Sequence, residues 1–263
     1  MQNIHRLLTL GCVLIGLMVL VSAITAFFSP SIQAALTVPT RSGTSQYVPV
    51  ATQPAMNGTK TVFMPSPTPM PTTLLAQDTF KRNDQPFWGM ASDGQTWGAN
   101  ANSSPSFTVA GQVGMIANGP GIFEATLGPR AANAEIIFSG SLSLFDNGTS
   151  NTGAVLRWID TNNWYKAYLD GTQLILLKRV AGILTRLNAT PFIAQNSKEY
   201  TLRFRVVGSM IAARVWLTGQ PEPTTWMVIA NDTALSSGFG GLRVVIQRGD
   251  IARIHMFTEM AVQ

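Results

Sequence analysis

Trp158, Trp164, Tyr165 and Tyr168 stand within eleven residues of one another, interleaved with Arg157, Asp160, Asn163 and Lys166. Aromatic faces stack on the apolar faces of sugar rings, and nearby Asn, Asp and Arg side chains satisfy the hydroxyls. In an extended strand, side chains two apart share a face. Trp164, Lys166 and Tyr168 therefore lie together, and Lys166 marks theirs as the wetter side. Tyr165, Ala167 and Leu169 are then expected to point into the core. Arg157 alternates with core-like Leu156 and is expected to join the wet face. The residues expected to bind a ligand are thus Trp164, Tyr168, Arg157, Trp158 and Lys166. The opposing pull is that tryptophans in β-sandwiches usually fill the core.

Other chemistries find few residues to use. His5 precedes a long apolar run, which leaves His255 as the lone histidine beyond it. One histidine without a local motif supports neither a Ser/His/Asp triad nor a His/Cys metal cluster. Placed between Ile254 and Met256, His255 reads as a strand residue. Gly238-Phe-Gly-Gly241 has no following Lys-Ser/Thr and no helix, so it reads as a turn rather than a phosphate loop. No catalytic residue and no metal ligand is expected.

The chain's address comes from its first part. Leu7 to Phe28 is 22 residues without a charge, preceded by Arg6. At ~1.5 Å per residue such a run spans roughly 33 Å, enough for the ~30 Å core of a bilayer. Two fates are open. The length favours retention as a membrane anchor at residues 1–28, whereas Ser31-Ile32-Gln33-Ala34-Ala35 offers a cleavage site after Ala34. With Arg6 on the inner side, either fate puts the remainder outside the cytoplasm. Residues 29–77 are expected to be a disordered spacer, since they hold more than half of the 15 prolines, among them Pro65, Pro67, Pro69 and Pro71. Alternating proline favours extended backbone without amide donors.

Residues 78–263 remain for one folded domain. All 13 acidic residues lie there with 15 of the 18 Lys and Arg, so its formal charge is only +2. Such a balance argues against nucleic acid, which needs a clustered positive surface. The one cysteine, Cys12, lies in the apolar run, so the domain has no disulfide. A secreted animal domain of this size would often use cystines, and their absence points to a bacterial surface protein. The five Asn-x-Ser/Thr sequons, at Asn57, Asn102, Asn147, Asn188 and Asn231, carry no weight in a bacterium.

No helical periodicity appears after Asp78. Short β-rich runs closed by Gly, Asn, Asp or Pro predict fourteen strands, the first at Asp78–Phe80 and the last at Ile251–Ala261. Asp170-Gly171, Ala181-Gly182 and Gly208-Ser209 each sit between two such runs and predict hairpins. The fold class expected is all-β, two stacked antiparallel sheets.

Several stretches carry a resemblance to a known family. They are Asp78-Thr-Phe80, Trp88, Gly94-Gln-Thr-Trp97, Gly153-Ala-Val-Leu-Arg-Trp158, Asp160-x-x-Asn163-Trp-Tyr165, Tyr200-Thr-Leu-Arg-Phe204 and Gly238-x-Gly240-Gly-Leu242. Together they resemble the concanavalin A-like lectin/glucanase jelly roll in its laminin-G-like bacterial surface form. The resemblance implies terminal strands that pair near each other and a curved sheet that often binds glycans. Enzymes of that superfamily carry Glu-x-Asp-x-x-Glu on one strand, which places acid and nucleophile on one cleft face. Here Glu135 is followed by Ile136, Ile137, Phe138 and Ser139, so the pattern is missing. The resemblance also allows a structural Ca²⁺ as the one cofactor. Asp146-Asn-Gly148 and Asp160-Thr-Asn-Asn163 are oxygen-rich but lack calcium-loop spacing, and Asx turns account for both. The function expected is a surface-displayed, lectin-like module binding polysaccharide or another glycan, with the membrane engaged through the N-terminal helix. An adhesion protein without a small ligand and a diverged glycoside hydrolase are the alternatives.

Overall fold

The computed structural model describes residues 73–263. The expected anchor at 7–28, Cys12, the Pro-rich stretch before residue 73 and the sequon at Asn57 lie outside the described residues. Among those described, no helix is long and apolar enough to cross a membrane.

Fifteen strands follow one another, with two short 3₁₀ turns at Ala99–Asn102 and Asp146–Gly148. They are β1 (Thr73–Asp78), β2 (Gln85–Pro86), β3 (Phe107–Ala110), β4 (Val113–Ile116), β5 (Gly121–Ala131), β6 (Ala134–Leu142), β7 (Thr152–Asp160) and β8 (Asn163–Leu169). Then come β9 (Gln173–Val180), β10 (Ile183–Pro191), β11 (Glu199–Val207), β12 (Met210–Leu217), β13 (Val228–Asn231), β14 (Gly238–Ile246) and β15 (Ala252–Ala261). They build two antiparallel sheets. One has the order β13-β12-β11-β6-β15-β4-β3-β2, with β1 also on β15; the other is β10-β9-β8-β7-β14-β5.

The predicted hairpins form where the turn residues allow them. Gly171 (φ 96°), Ala181 and Gly182 (φ 50° and 81°) and Gly208 (φ 55°) take the left-handed backbone that tight turns require. The first strand begins earlier than the sequence suggests. Thr73 to Asp78 pairs with β15, Thr73 opposite Ala261 and Asp78 opposite Phe257, so residues 73–77 belong to the sheet and not to the spacer. The prolines end at Pro71, and Leu74, Leu75 and Ala76 are free to join a ladder.

Inward-facing side chains of both sheets make one core. Its densest part is aromatic. Trp88 lies 4.8 Å from Trp97, 5.0 Å from Phe80 and 4.9 Å from Phe107, and Trp97 lies 5.1 Å from Phe257. Edge-to-face geometry places positive ring edges on negative faces. Asp78, fully buried, organises this corner. It accepts from the amides of Phe80 (2.8 Å) and Ser92 (3.3 Å), from the Trp97 indole (2.6 Å) and from both terminal nitrogens of Arg82 (2.8 and 3.1 Å). A carboxylate so fully satisfied holds the end of β1 to the loop that carries Trp97.

A second buried acid is handled differently. Glu259 on β15 is fully buried, and neither of its carboxyl oxygens has a hydrogen-bond partner. It rests against Gly240 of β14, where a Cβ would stand 2.3 Å from Oε2. Glycine at this point is what lets the side chain fit between the sheets. Burial pushes the carboxyl up to about 8.

Candidate functional site

The outer face of the six-stranded sheet brings most of the expected residues together. Cross-strand partners share a face, and the register defines it: Val155 opposes Lys166 and Gly241, Tyr168 opposes Ile175, and Trp164 opposes Arg179. Trp158 opposes Phe239, three residues from Val155 on β7 but only two from Gly241 on β14. The extra residue is Arg157, with φ 49°, a β-bulge that keeps Trp158 on the outer face.

The bulge also sends Arg157 elsewhere. Its Nε donates to the Ala132 carbonyl (2.8 Å), one terminal nitrogen to Leu235 (2.6 Å) and the other to Gly208 (2.9 Å). The side chain is 4% exposed and ties three loops at one end of the sandwich, beside an open hollow of about 310 Å³. Strict alternation put Arg157 on the wet face, and the inserted residue overturns that expectation. Burial lowers its guanidinium from the ordinary value.

Trp164, Lys166 and Tyr168 do share the outer face, and Tyr165, Ala167 and Leu169 do join the core. The expected exposure of the first two is corrected. Trp164 is fully buried and Lys166 is 2% exposed, while Tyr168 is half-buried. The Arg243 guanidinium lies over the Trp164 indole, 4.7 Å from its centre, and the indole N–H donates to the Thr161 carbonyl (3.1 Å). The Lys166 ammonium sits 4.5 Å from the Tyr168 ring and donates to Asn151 Oδ1. Such cation–aromatic contacts cover one face of each ring. Burial drives Lys166 well below the ordinary lysine value, and Arg243 adds to the effect. Tyr168 is raised, by burial first and then by Asp170.

Four partners on this face were not singled out in the sequence. Glu124 on β5 accepts from Arg243 Nε at 3.0 Å, an ion pair whose members are both largely buried. Phe239 packs its ring 6.4 Å from that of Trp158, both half-buried. Arg130 lies over Phe239 at 5.4 Å. Phe239 follows Gly238 in what reads locally as a turn, and only pairing with β7 sets it beside Trp158.

The core side of β8 has its own polar anchor. The Tyr165 hydroxyl donates to Asp232 Oδ1 (2.6 Å) and accepts from the Leu235 amide (3.0 Å), while Lys178 pairs with Asp232. Burial, followed by the bond to Asp232, pushes the phenol to about 12. Tyr165 is therefore a structural strut.

The turns once weighed as calcium loops are engaged by their own chain. Asp160 accepts from the Asn162 amide and the Asn163 side chain, and Asp146 from the Thr149 hydroxyl. Among the described residues no group of three or more His, Cys, Asp or Glu side chains is placed to hold a metal. His255 lies at the surface, 3.7 Å from Glu199.

No family model matches the sequence, and no curated protein matches it. Solved structures do resemble the fold. A xylan β-1,4-xylosidase from Bacillus halodurans C-125 superposes with a TM-score of 0.52 at 14% identity, over 70% of this chain and 38% of that one. The GH43 protein BlXynB from Bacillus licheniformis gives 0.53 at 12%, over 71% of this chain and 39% of that one. The chain thus spans well under half the length of these two proteins. The carbohydrate-binding module CBM66 from Bacillus subtilis aligns over 72% of this chain and 97% of its own at 13% identity, but with a TM-score of 0.48, too slight to bear on function. At such identities the likeness is one of fold, and the fold is an all-β sandwich of two antiparallel sheets.

Proposed function

We propose that the chain is a non-catalytic carbohydrate-binding module of the concanavalin A-like jelly-roll type. Its N-terminal apolar segment would hold it on the outer side of the cell. One observation carries the reading: Trp158 and Phe239 stand side by side on the outer face of the six-stranded sheet, each partly open to solvent. Half-exposed Tyr168 shares that face. A saccharide ring laid on such a pair buries apolar C–H surface while its hydroxyls meet the surrounding polar groups. The Glu124 carboxylate on this face is tied to Arg243, which supports binding rather than glycosidic cleavage.

The test is a glycan array probed with the full chain in nonionic detergent. Binding to at least one polysaccharide is expected, with loss of about tenfold or more in Phe239→Ala and in Tyr168→Ala. Correctly folded protein that stays silent across the array would leave the adhesion reading ahead. Release of sugar by the purified chain would overturn the non-catalytic assignment.

A further inference from the structure

The two outer faces treat their cations differently. On the nine-stranded sheet, Arg203, Arg205 and Arg214 share Glu135 and Glu222, and among the described strand residues there only the Arg253 guanidinium lacks a carboxylate partner. On the outer face of the six-stranded sheet, Arg243 has one, in Glu124, while Lys178 meets Asp232 on the core side. Arg179 donates to the carbonyls of Thr161 and Gly182, both at 3.1 Å. Arg186 donates to the Gln173 side-chain oxygen, Lys166 to that of Asn151, and Arg130 to the Ser237 carbonyl at 3.5 Å. Three guanidinium groups on these strands are thus matched only by neutral acceptors, as is Lys166, whose charged form burial disfavours. Asp160, the last residue of β7, and Asp170, in the turn after β8, are occupied by neighbouring amides and side chains.

The arrangement has a direction. Arg179 on β9 opposes Trp164 on β8, Trp158 on β7 opposes Phe239 on β14, and Arg130 on β5 lies over Phe239. These residues make a row that crosses the strands, rings in the middle and a guanidinium at each end. Four inter-strand spacings of ~4.8 Å put the ends roughly 19 Å apart. Arg130 is exposed and Arg179 partly so. Guanidinium groups present planar paired donors that match carboxylate and sulfate oxygens.

Resting on the carbohydrate-binding reading, we infer that the ligand is an acidic polysaccharide. Its chain lies across the strands on Trp158 and Phe239, with anionic substituents on Arg179 and Arg130. Arg186, exposed on β10 and on the same face, adds to the positive potential that draws the polymer in.

The experiment measures binding of the full chain, in nonionic detergent, to two matched pairs of polymers. They are polygalacturonate with its methyl-esterified form, and dextran sulfate with dextran. Oligothymidylate serves as a non-saccharide polyanion. At least one acidic polymer is expected to bind tenfold or more tighter than its neutral match, and to weaken several-fold between 50 and 200 mM salt. Which acidic polymer binds identifies carboxylate or sulfate as the recognised group. Arg179→Gln and Arg130→Gln are each expected to lose about tenfold on that polymer, the scale of one charge-assisted hydrogen bond. Equal binding within both pairs, or binding of neutral glycans alone, would overturn the inference and leave the carbohydrate reading standing. Silence toward every glycan would remove both. Oligothymidylate bound as tightly as the acidic polysaccharides would also overturn the inference. If either variant misfolds, the matched wild-type pairs still decide.

Discussion

Replacing Glu259 by glutamine should make the protein more stable at neutral pH and flatten the pH dependence of its stability. The folded carboxyl has a pKa of about 8, against an ordinary 4.5, because burial disfavours its charge and no donor compensates. The unfolded chain therefore gives up the proton near 4.5, while the folded one keeps it until about pH 8. Between those values the folded state binds more protons, so unfolding free energy falls as pH rises. Below 4.5 there is no penalty, and above about 8 the penalty is complete. At ~1.4 kcal/mol per pH unit the full loss is about 5 kcal/mol, of which about 3 kcal/mol is already present at pH 7. Glutamine has nearly the same shape, fits over Gly240 and does not ionise. Urea unfolding of wild type and Glu259→Gln, followed by tryptophan fluorescence at pH 5, 6, 7 and 8, reads the difference directly. Contributions from all other groups cancel in that comparison. The advantage of the glutamine variant should be smallest at pH 5, about 1 kcal/mol, and should grow steadily toward pH 8. A constant difference across the range would refute the reasoning, since it would mean that Glu259 finds a partner or water in solution.

Asp78→Ala should cost about 3–5 kcal/mol, because it strands the Arg82 guanidinium and the Trp97 indole N–H in a buried corner; the urea midpoint measures it, and Asp78→Asn should recover part of the loss. Arg157→Met should destabilise by about 2–4 kcal/mol through three unpaired carbonyls. Arg157→Lys should rescue little, since one ammonium does not span Ala132, Gly208 and Leu235. Hydrogen exchange localised to those loops would separate this from a general loss of core packing. Tyr165→Phe should cost about 1–3 kcal/mol and speed exchange at the Leu235 amide, which loses its acceptor.

The strands were legible because each burial pattern is written locally. Val113–Ile116, Glu199–Val207 and Met210–Leu217 are bounded by turn residues and fall where alternation puts them. What escaped reading depends on neighbours in space. β1 hides beside prolines, and only its partner β15 makes it a strand. The two-residue β2 has no periodicity to detect. In the candidate site, the outer and core sides of β8 were assigned correctly, yet the outer side is not wet: burial of Trp164 and Lys166 follows in part from Arg243 and Tyr168 lying against them. A single inserted residue reversed Arg157, and period-two reasoning has no way to foresee an insertion whose only sign is a positive φ. Phe239 gained its role from register across β7 and β14, which no sequence window contains.

The ladder between β1 and β15 has a practical corollary. Thr73 and Ala261 are direct partners on adjacent antiparallel strands, so the start of the first described strand and the end of the last stand about 5 Å apart. Such a gap is narrow enough to bridge with a few linker residues inside a surface loop of an unrelated host. The sandwich is accordingly suited to being spliced into another protein as a cassette, or to circular permutation with new ends opened at a surface turn away from Arg157.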